Sequence, residues 1–251
     1  MGETSLSGLV DAHVHLDLLA DAHEAIGAAK RAGVEVVLGV SMGLGSMQRT
    51  LELAREFPGF VLPALGLHPW QIETEDVSRV LERIEATVGS AVAIGEIGLD
   101  YGIKARKQLQ KEVLRRQLGI AAVRDLPVIL HCRYSHSATL EIVREMNIRR
   151  AVFHWYSGPP EILESLLQQG YFISATPALE YSQRHQEAIR ATPMERILLE
   201  TDSPVRYQDR ESSPSDVVRV CELVARLKGT EVTEVARETT SNFSCFLGRE
   251  K

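Results

Sequence analysis

The sequence predicts a (β/α)8 TIM barrel, an α/β fold. Eight short β-rich runs alternate with amphipathic helical stretches along the whole chain, and several of them are nearly continuous Val, Ile, Leu and Ala. Residue types that ligate metals fall at the ends of runs far apart in sequence. Strands buried on both faces read as such unbroken apolar runs. Barrels of this type commonly span about 250 residues as one unit, so this chain of 251 residues, 44% hydrophobic and 25% charged, is expected to form one domain over 1–251.

The first run, 8–13, ends on Asp11-Ala12-His13, with a helix expected over 21–32. The second, 34–40, is almost all valine and leucine, and the third, 60–66, leads into Leu67-His68-Pro69-Trp70; helices are expected at 46–57 and 76–88. The fourth run, 91–95, precedes the longest helix, 105–124, where Val113, Leu114, Gln117, Leu118, Ala121 and Ala122 recur at spacings of three and four. Such a stripe packs one helix face against the barrel. Runs at 127–131, 151–154, 171–174 and 196–200 follow, with helices at 136–146, 159–169, 183–191 and 214–228 and a last one at 232–247. The stretch 209–215 is the main loop candidate, and Ser213 or Ser215 is placed to cap the next helix.

A doubly wound open sheet fits the same alternation. No GxGxxG follows the first run, and the choice of a barrel rests on the strand count and on where the polar residues fall. His13 and His15 stand two apart, which in a strand turns both imidazoles to one side, where they can share a divalent cation. Glu96 then follows the fourth run, His131 and His154 end the fifth and sixth, and Asp202 comes two residues after the eighth. Barrel enzymes build their sites at the C-terminal ends of the strands, so these side chains are expected at one mouth. Four histidines and two carboxylates exceed the four ligands of a structural zinc site. Two cations with Glu96 between them fit better, an arrangement that activates water for hydrolysis. His68 either contacts substrate or shapes a turn. His23, His136 and His185 lie in helices or loops and are read as solvated or satisfied by neighbours.

These residues stand in motifs. Asp11-Ala12-His13-Val14-His15-Leu16-Asp17, Gly66-Leu67-His68-Pro69 and Ile94-Gly95-Glu96-Ile97-Gly98-Leu99-Asp100-Tyr101 come first. Gln110, Gln117 and His131-Cys132-Arg133 follow, then His154-Trp155-Tyr156-Ser157-Gly158 and Leu199-Glu200-Thr201-Asp202-Ser203-Pro204. In this order the chain resembles the TatD-type metal-dependent deoxyribonucleases of the amidohydrolase superfamily, from Val10 to the last helix. The resemblance implies a phosphodiesterase acting on DNA with two divalent ions, Mg2+, Mn2+ or Zn2+. His13, His15, Glu96 and Asp202 would surround one ion, and Glu96, His131 and His154 the other. Asp202 would accept the proton of the attacking water, Glu200 would orient a ligand or water, and Arg133 would meet a phosphate oxygen. Where members usually carry Arg-Asn-Glu-Pro, this chain reads Glu211-Ser212-Ser213-Pro214, with Arg210 or Arg206 as replacement cations. Tyr134 and Ser135 also depart from the acidic residue and alanine common after Arg133.

The formal net charge of −6 argues against bulk electrostatic adhesion to nucleic acid, so a phosphate substrate must be gripped locally. Trp70, Tyr101, Trp155 and Tyr156 flank the motifs, either stacking on a terminal base or packing the barrel rim. A deep mouth admits a strand end more readily than a duplex interior, which favours an exonuclease, and the resemblance implies the 3′-5′ type; an ester or amide hydrolase, such as a deacylase of D-aminoacyl-tRNA, and a non-catalytic metal-binding subunit are the other readings. Residues 1–7 offer no basic, apolar leader and no run is long enough to span a membrane, so a cytoplasmic protein is expected. Cys132, Cys221 and Cys245 lie too far apart for a disulfide framework or zinc knuckle, and are read as buried small hydrophobes.

Overall fold

A computed structural model of the chain describes residues 8–249; the leader reading of residues 1–7 lies outside it. The barrel strands are β1 (Leu9–Val14), β2 (Val34–Val40), β3 (Val61–Leu65), β4 (Ala93–Asp100), β5 (Val128–Arg133), β6 (Ala151–Phe153), β7 (Phe172–Ala175) and β8 (Ile197–Leu199). They form one sheet in that order, and each adjacent pair is parallel. The barrel closes where β1 meets the segment after β8. Val14 bridges Ser203, the His15 N–H donates to the Ser203 carbonyl at 2.8 Å, and the Asp202 N–H donates to the His13 carbonyl at 3.0 Å.

The connecting helices are α1 (Ala22–Arg31), α2 (Leu44–Glu56), α3 (Val77–Thr87), α4 (Lys107–Arg124), α5 (His136–Glu145), α6 (Pro160–Gln168), α7 (Gln183–Ala191) and α8 (Val217–Lys228), with α9 (Val232–Phe246) last. Asp21, Asp76 and Ser182 cap α1, α3 and α7 by accepting the N–H three residues on, which satisfies donors the helix leaves open. The barrel interior is a cluster with at least one residue from every strand, including Val10, Leu38, Ala64, Ala93, Ile129, Val152, Phe172 and Leu198, into which Phe243 and Phe246 of α9 also pack. Asn242 of α9 donates to the carbonyls of Met194 and Ile197, tying that helix to the start of β8. This end is sealed by packing, and the opposite end is free for chemistry.

Three expectations change. β4 runs to Asp100 and β5 to Arg133, so Glu96 lies inside a strand rather than beyond its end, and His131 lies inside the strand it was expected to end. The loop expected at 209–215 contains structure: β9 (Arg206–Tyr207) pairs antiparallel with β10 (Arg210–Glu211), and Ser213 forms a capping box with Asp216 on the short turn before α8. Of the cysteines, Cys221 is buried as read, but Cys132 is half-buried and Cys245 is exposed. No helix among the described residues is long and apolar enough to cross a membrane.

Candidate metal centre

Local irregularities aim two of the candidate ligands. From Asp11 to Val14 β1 advances three residues while β2 advances two, and from Ile94 to Ile97 β4 advances three while β5 advances two. One extra residue bends a strand and redirects a side chain; His13 and Glu96 sit at these two points. Glycine makes the second possible. A Cβ on Gly95 would lie 2.6 Å from the Ile129 Cβ, and one on Gly98, at φ +150°, 2.1 Å from the His131 carbonyl oxygen. Only a residue without a side chain lets β4 press this closely on β5.

Glu96 is 2% exposed, and its two oxygens face different partners. Oε2 lies 3.3 Å from both His13 Nε2 and His15 Nε2, which are themselves 3.3 Å apart; Asp202 Oδ1 is 3.5 and 3.4 Å from the same two nitrogens. Donors around a four-coordinate ion with bonds of roughly 2.1 Å stand about 3.4 Å from one another, so this set has the spacing of a cation shell. Oε1 lies 2.9 Å from His154 Nε2, 3.0 Å from His131 Nδ1 and 3.3 Å from His68 Nε2. The potential metal-holding groups found in the structure are His13, Glu96 and His154; His13, His15 and Asp202; and His68, Glu96 and His131.

The model of the TatD related DNase family matches residues 10–248. The chain belongs to that family. Human deoxyribonuclease TATDN3 is 32% identical over 254 residues, which cover 94% of this chain and 93% of the relative. The 3′-5′ ssDNA/RNA exonuclease TatD of Erwinia tasmaniensis is 32% identical over 241 residues, 88% of this chain and 92% of its own. The crystal structure of YJJV, a TatD homolog from Escherichia coli K12, superposes with a TM-score of 0.89 at 28% identity, covering 96% of this chain and 98% of that one. This TatD-family chain is accordingly a metal-dependent hydrolase of ester bonds.

Around the family's centre, the rings are held from behind. His131 Nε2–H donates to Asp100 Oδ2 at 3.1 Å, which leaves Nδ1 for Glu96; His154 is reversed, with Nδ1–H donating to Glu200 Oε1 at 3.3 Å and Nε2 turned inward. Such bonds fix tautomer and ring orientation. Glu200 also accepts the Trp155 N–H at 3.0 Å. Burial works to raise the Glu96 pKa, but His68, His154 and His13 outweigh it and hold the carboxyl well below the usual range. Asp202 is likewise ionised, because the His15 hydrogen bond and the charges of His13 and His154 overcome burial. Burial pushes His68 down to about 4 against the pull of Glu96, so at neutral pH it is uncharged.

The six residues that the sequence offered as metal ligands therefore converge, and His68 stands with them. Arg133 is exposed at the end of β5, and Tyr101 is half-buried beneath the Lys107 ammonium, 4.6 Å from its ring centre. Arg206 is not brought to Glu96: it is exposed on β9 and donates to the Asp209 carbonyl at 3.0 Å within its own hairpin. Arg210 pairs instead with Asp216. Tyr156 is fully buried and donates to the Pro159 carbonyl at 2.7 Å, which removes it as a stacking residue; of the four aromatics flanking the motifs, only Trp70 is more than half exposed, at 51%.

His23 is exposed and pairs with Glu56, whereas His185 is buried, donating from Nδ1 to the Tyr156 carbonyl at 2.7 Å and accepting the Thr176 N–H at 3.1 Å. Two carboxylates escaped assignment from sequence. Asp100 stands four residues after Glu96 in β4, and its place in the motif from Ile94 to Tyr101, with that spacing, was its signal. Asp11 bonds Thr201, 190 residues away, a partner for which local sequence carries no signal. Gln110 and Gln117 are buried and clamp backbone: Gln110 pairs with the N–H and carbonyl of Asp100, Gln117 with those of Leu67.

Proposed function

We propose that this TatD-family chain is a 3′-5′ exonuclease of single-stranded DNA, using two divalent ions, Mg2+, Mn2+ or Zn2+. The observation that carries the reading is the division of Glu96: Oε2 faces His13 and His15, Oε1 faces His131 and His154. One ion is assigned to His13, His15, Asp202 and Glu96, the other to Glu96, His131 and His154. When bound, the ions acidify water and neutralise charge on the phosphate oxygens.

The protein's own groups do the rest. Asp202, ionised, offers Oδ1 beside His13 and His15 to the cation set and its other oxygen, Oδ2, to the proton of the attacking water. Asp100 and Glu200 keep the ligating nitrogens of His131 and His154 turned inward. Arg133 offers a planar guanidinium to the phosphate as charge develops. His68, uncharged, faces Glu96 Oε1 and is placed to contact a substrate oxygen.

End-labelled single-stranded DNA, an aminoacyl ester and an amide, each given to protein loaded with Mg2+, Mn2+ or Zn2+ in turn, test this. Stepwise release of mononucleotides from the 3′ end is expected. Cleavage of the ester or amide with intact DNA under all three ions would replace the reading with the deacylase-type alternative.

A further inference from the structure

Among the described residues, the exposed large apolar side chains are Leu18, Trp70, Val123, Tyr134 and Tyr181. Single exposed apolar residues need no explanation. Here four of the five follow barrel strands: Leu18 lies after β1, Trp70 after β3, Tyr134 after β5 and Tyr181 after β7, all on the face that carries the metal centre.

Two of them are linked to that centre by a continuous row. The Trp70 indole N–H donates to Asp100 Oδ2 at 2.7 Å, and the same oxygen holds His131. Asp100 stands in register with Arg133 across β4 and β5. Gly102 lies against both side chains, since a Cβ there would be 3.1 Å from Asp100 Oδ1 and from Arg133 Nε. The Arg133 guanidinium lies 5.7 Å from the Tyr134 ring centre, and Tyr134 is 74% exposed. A groove of about 1210 Å³ continues from there, bordered by Tyr101, Arg133, Tyr134, His136 and Arg184.

Trp70 is anchored at one edge and open on a face. Its N–H is bonded to a fully buried carboxylate and its ring meets His68 edge-on at 4.8 Å, yet half its surface is bare. A ring already held in place loses little freedom when something stacks on it. The net charge of −6 denies the chain long-range attraction for a polyanion, whereas stacking is indifferent to charge.

We propose that Trp70 and Tyr134 are stacking platforms for successive bases of a single DNA strand whose end reaches Glu96, with Arg133 at the phosphate between them. The proposal rests on the phosphodiesterase reading above and gives that site its substrate grip. Bases inside a duplex are covered on both faces by stacked neighbours and cannot meet two platforms in turn, so single strands are bound over duplexes and base-bearing ends over abasic ends, each by roughly tenfold to a hundredfold.

The chain has two tryptophans, so Trp155→Phe leaves Trp70 as the sole indole. Metal-loaded Trp155→Phe protein is titrated with single strands whose phosphorothioate linkages block hydrolysis, ending either in a base or in an abasic sugar. Base-ended strands should quench the Trp70 emission and bind at least tenfold more tightly. In the wild-type background, Trp70→Ala should erase this preference, while Trp70→Phe, which keeps a ring face and loses the N–H, should retain most of it; Tyr134→Ser should reduce it for strands of two or more bases.

Equal binding of both ends with unchanged emission overturns the proposal, even in an enzyme that degrades DNA. So does a preference that survives Trp70→Ala, which leaves Trp70 a mere support for Asp100. Base-dependent quenching without any DNA cleavage would instead uphold the platforms and defeat the nuclease reading alone.

Discussion

Asp11 and Thr201, 190 residues apart, are joined twice: the Asp11 carboxylate accepts the Thr201 N–H at 2.9 Å and its hydroxyl at 2.6 Å. Asp11 also accepts the His13 N–H at 3.3 Å, so one fully buried carboxylate positions the strand that carries His13 against the segment that carries Asp202. Thr201→Val removes the hydroxyl and leaves a buried carboxylate oxygen short of a donor, which costs roughly 1–3 kcal/mol. The expected result is a lower denaturant midpoint together with weaker metal binding. Unchanged values for both would mean that the barrel closes without this bond.

Asp202→Asn should fold normally and lose most turnover. A positioned general base contributes roughly 10²–10⁴-fold, and Asp202 also stands 3.5 Å from His13 Nε2 and 3.4 Å from His15 Nε2 in the cation-spaced set. Circular dichroism checks the fold and kcat on labelled DNA checks the chemistry. A variant retaining a tenth of wild-type kcat would move the base role elsewhere.

Removing Asp100 or Glu200 should act on one ion more than the other. Each orients a histidine that faces Glu96 Oε1, and neither touches His13 or His15 in the hydrogen bonds described. Asp100→Asn is expected to weaken the second of two metal-binding steps by about 10–100-fold, in line with the loss of other groups that orient a ligand. Titration calorimetry separates the steps. Equal weakening of both would show that the two ligand sets behave as one.

Chelation should lower the melting temperature. At an ion concentration of about 100 times Kd, binding to the folded state alone adds about 2.7 kcal/mol, which at this chain length is a shift of roughly 5–10 °C. Glu96→Gln, which weakens the group shared by both sets, should abolish most of that shift in a thermal melt with and without chelator.

His185 supplies a pH dependence away from the metal ligands. Burial pushes its pKa down to about 4, opposed by the Tyr156 carbonyl and Glu200. In the unfolded chain the imidazole titrates near 6.5, so below that pH the unfolded state takes up a proton that the folded state refuses. Stability is therefore whole above about pH 6.5 and falls as the pH drops toward 4, by about 3 kcal/mol from this residue. His185→Gln keeps a donor and an acceptor and cannot titrate. Its melting temperature should decline less than that of the wild type between pH 6.5 and 4, and an identical acid limb would remove His185 as the cause.

The eight strands and the positions of His13, His15, Glu96, His131, His154 and Asp202 near their ends were legible because local period reports which way a side chain leaves its own strand. Glu96 was placed beyond the end of the fourth strand because the extra residue that redirects it shows only against β5. The pairing of Arg206 with its own hairpin was hidden for a similar reason: β9 and β10 are two residues each, too short to leave a periodic trace.

By itself the sequence determined the parallel architecture, the residue types available to bind metal and the end of the barrel at which they gather, all consequences of short-range pattern and strand direction. Tertiary structure alone decided that His131 turns Nδ1 and His154 Nε2 toward one carboxylate oxygen, that Tyr156 is buried while Trp70 is open, and that Asp11 reaches Thr201. Each of these depends on distances across the barrel between segments far apart in the chain, and a side chain's exposure or ring orientation is fixed by whatever those distant segments bring against it.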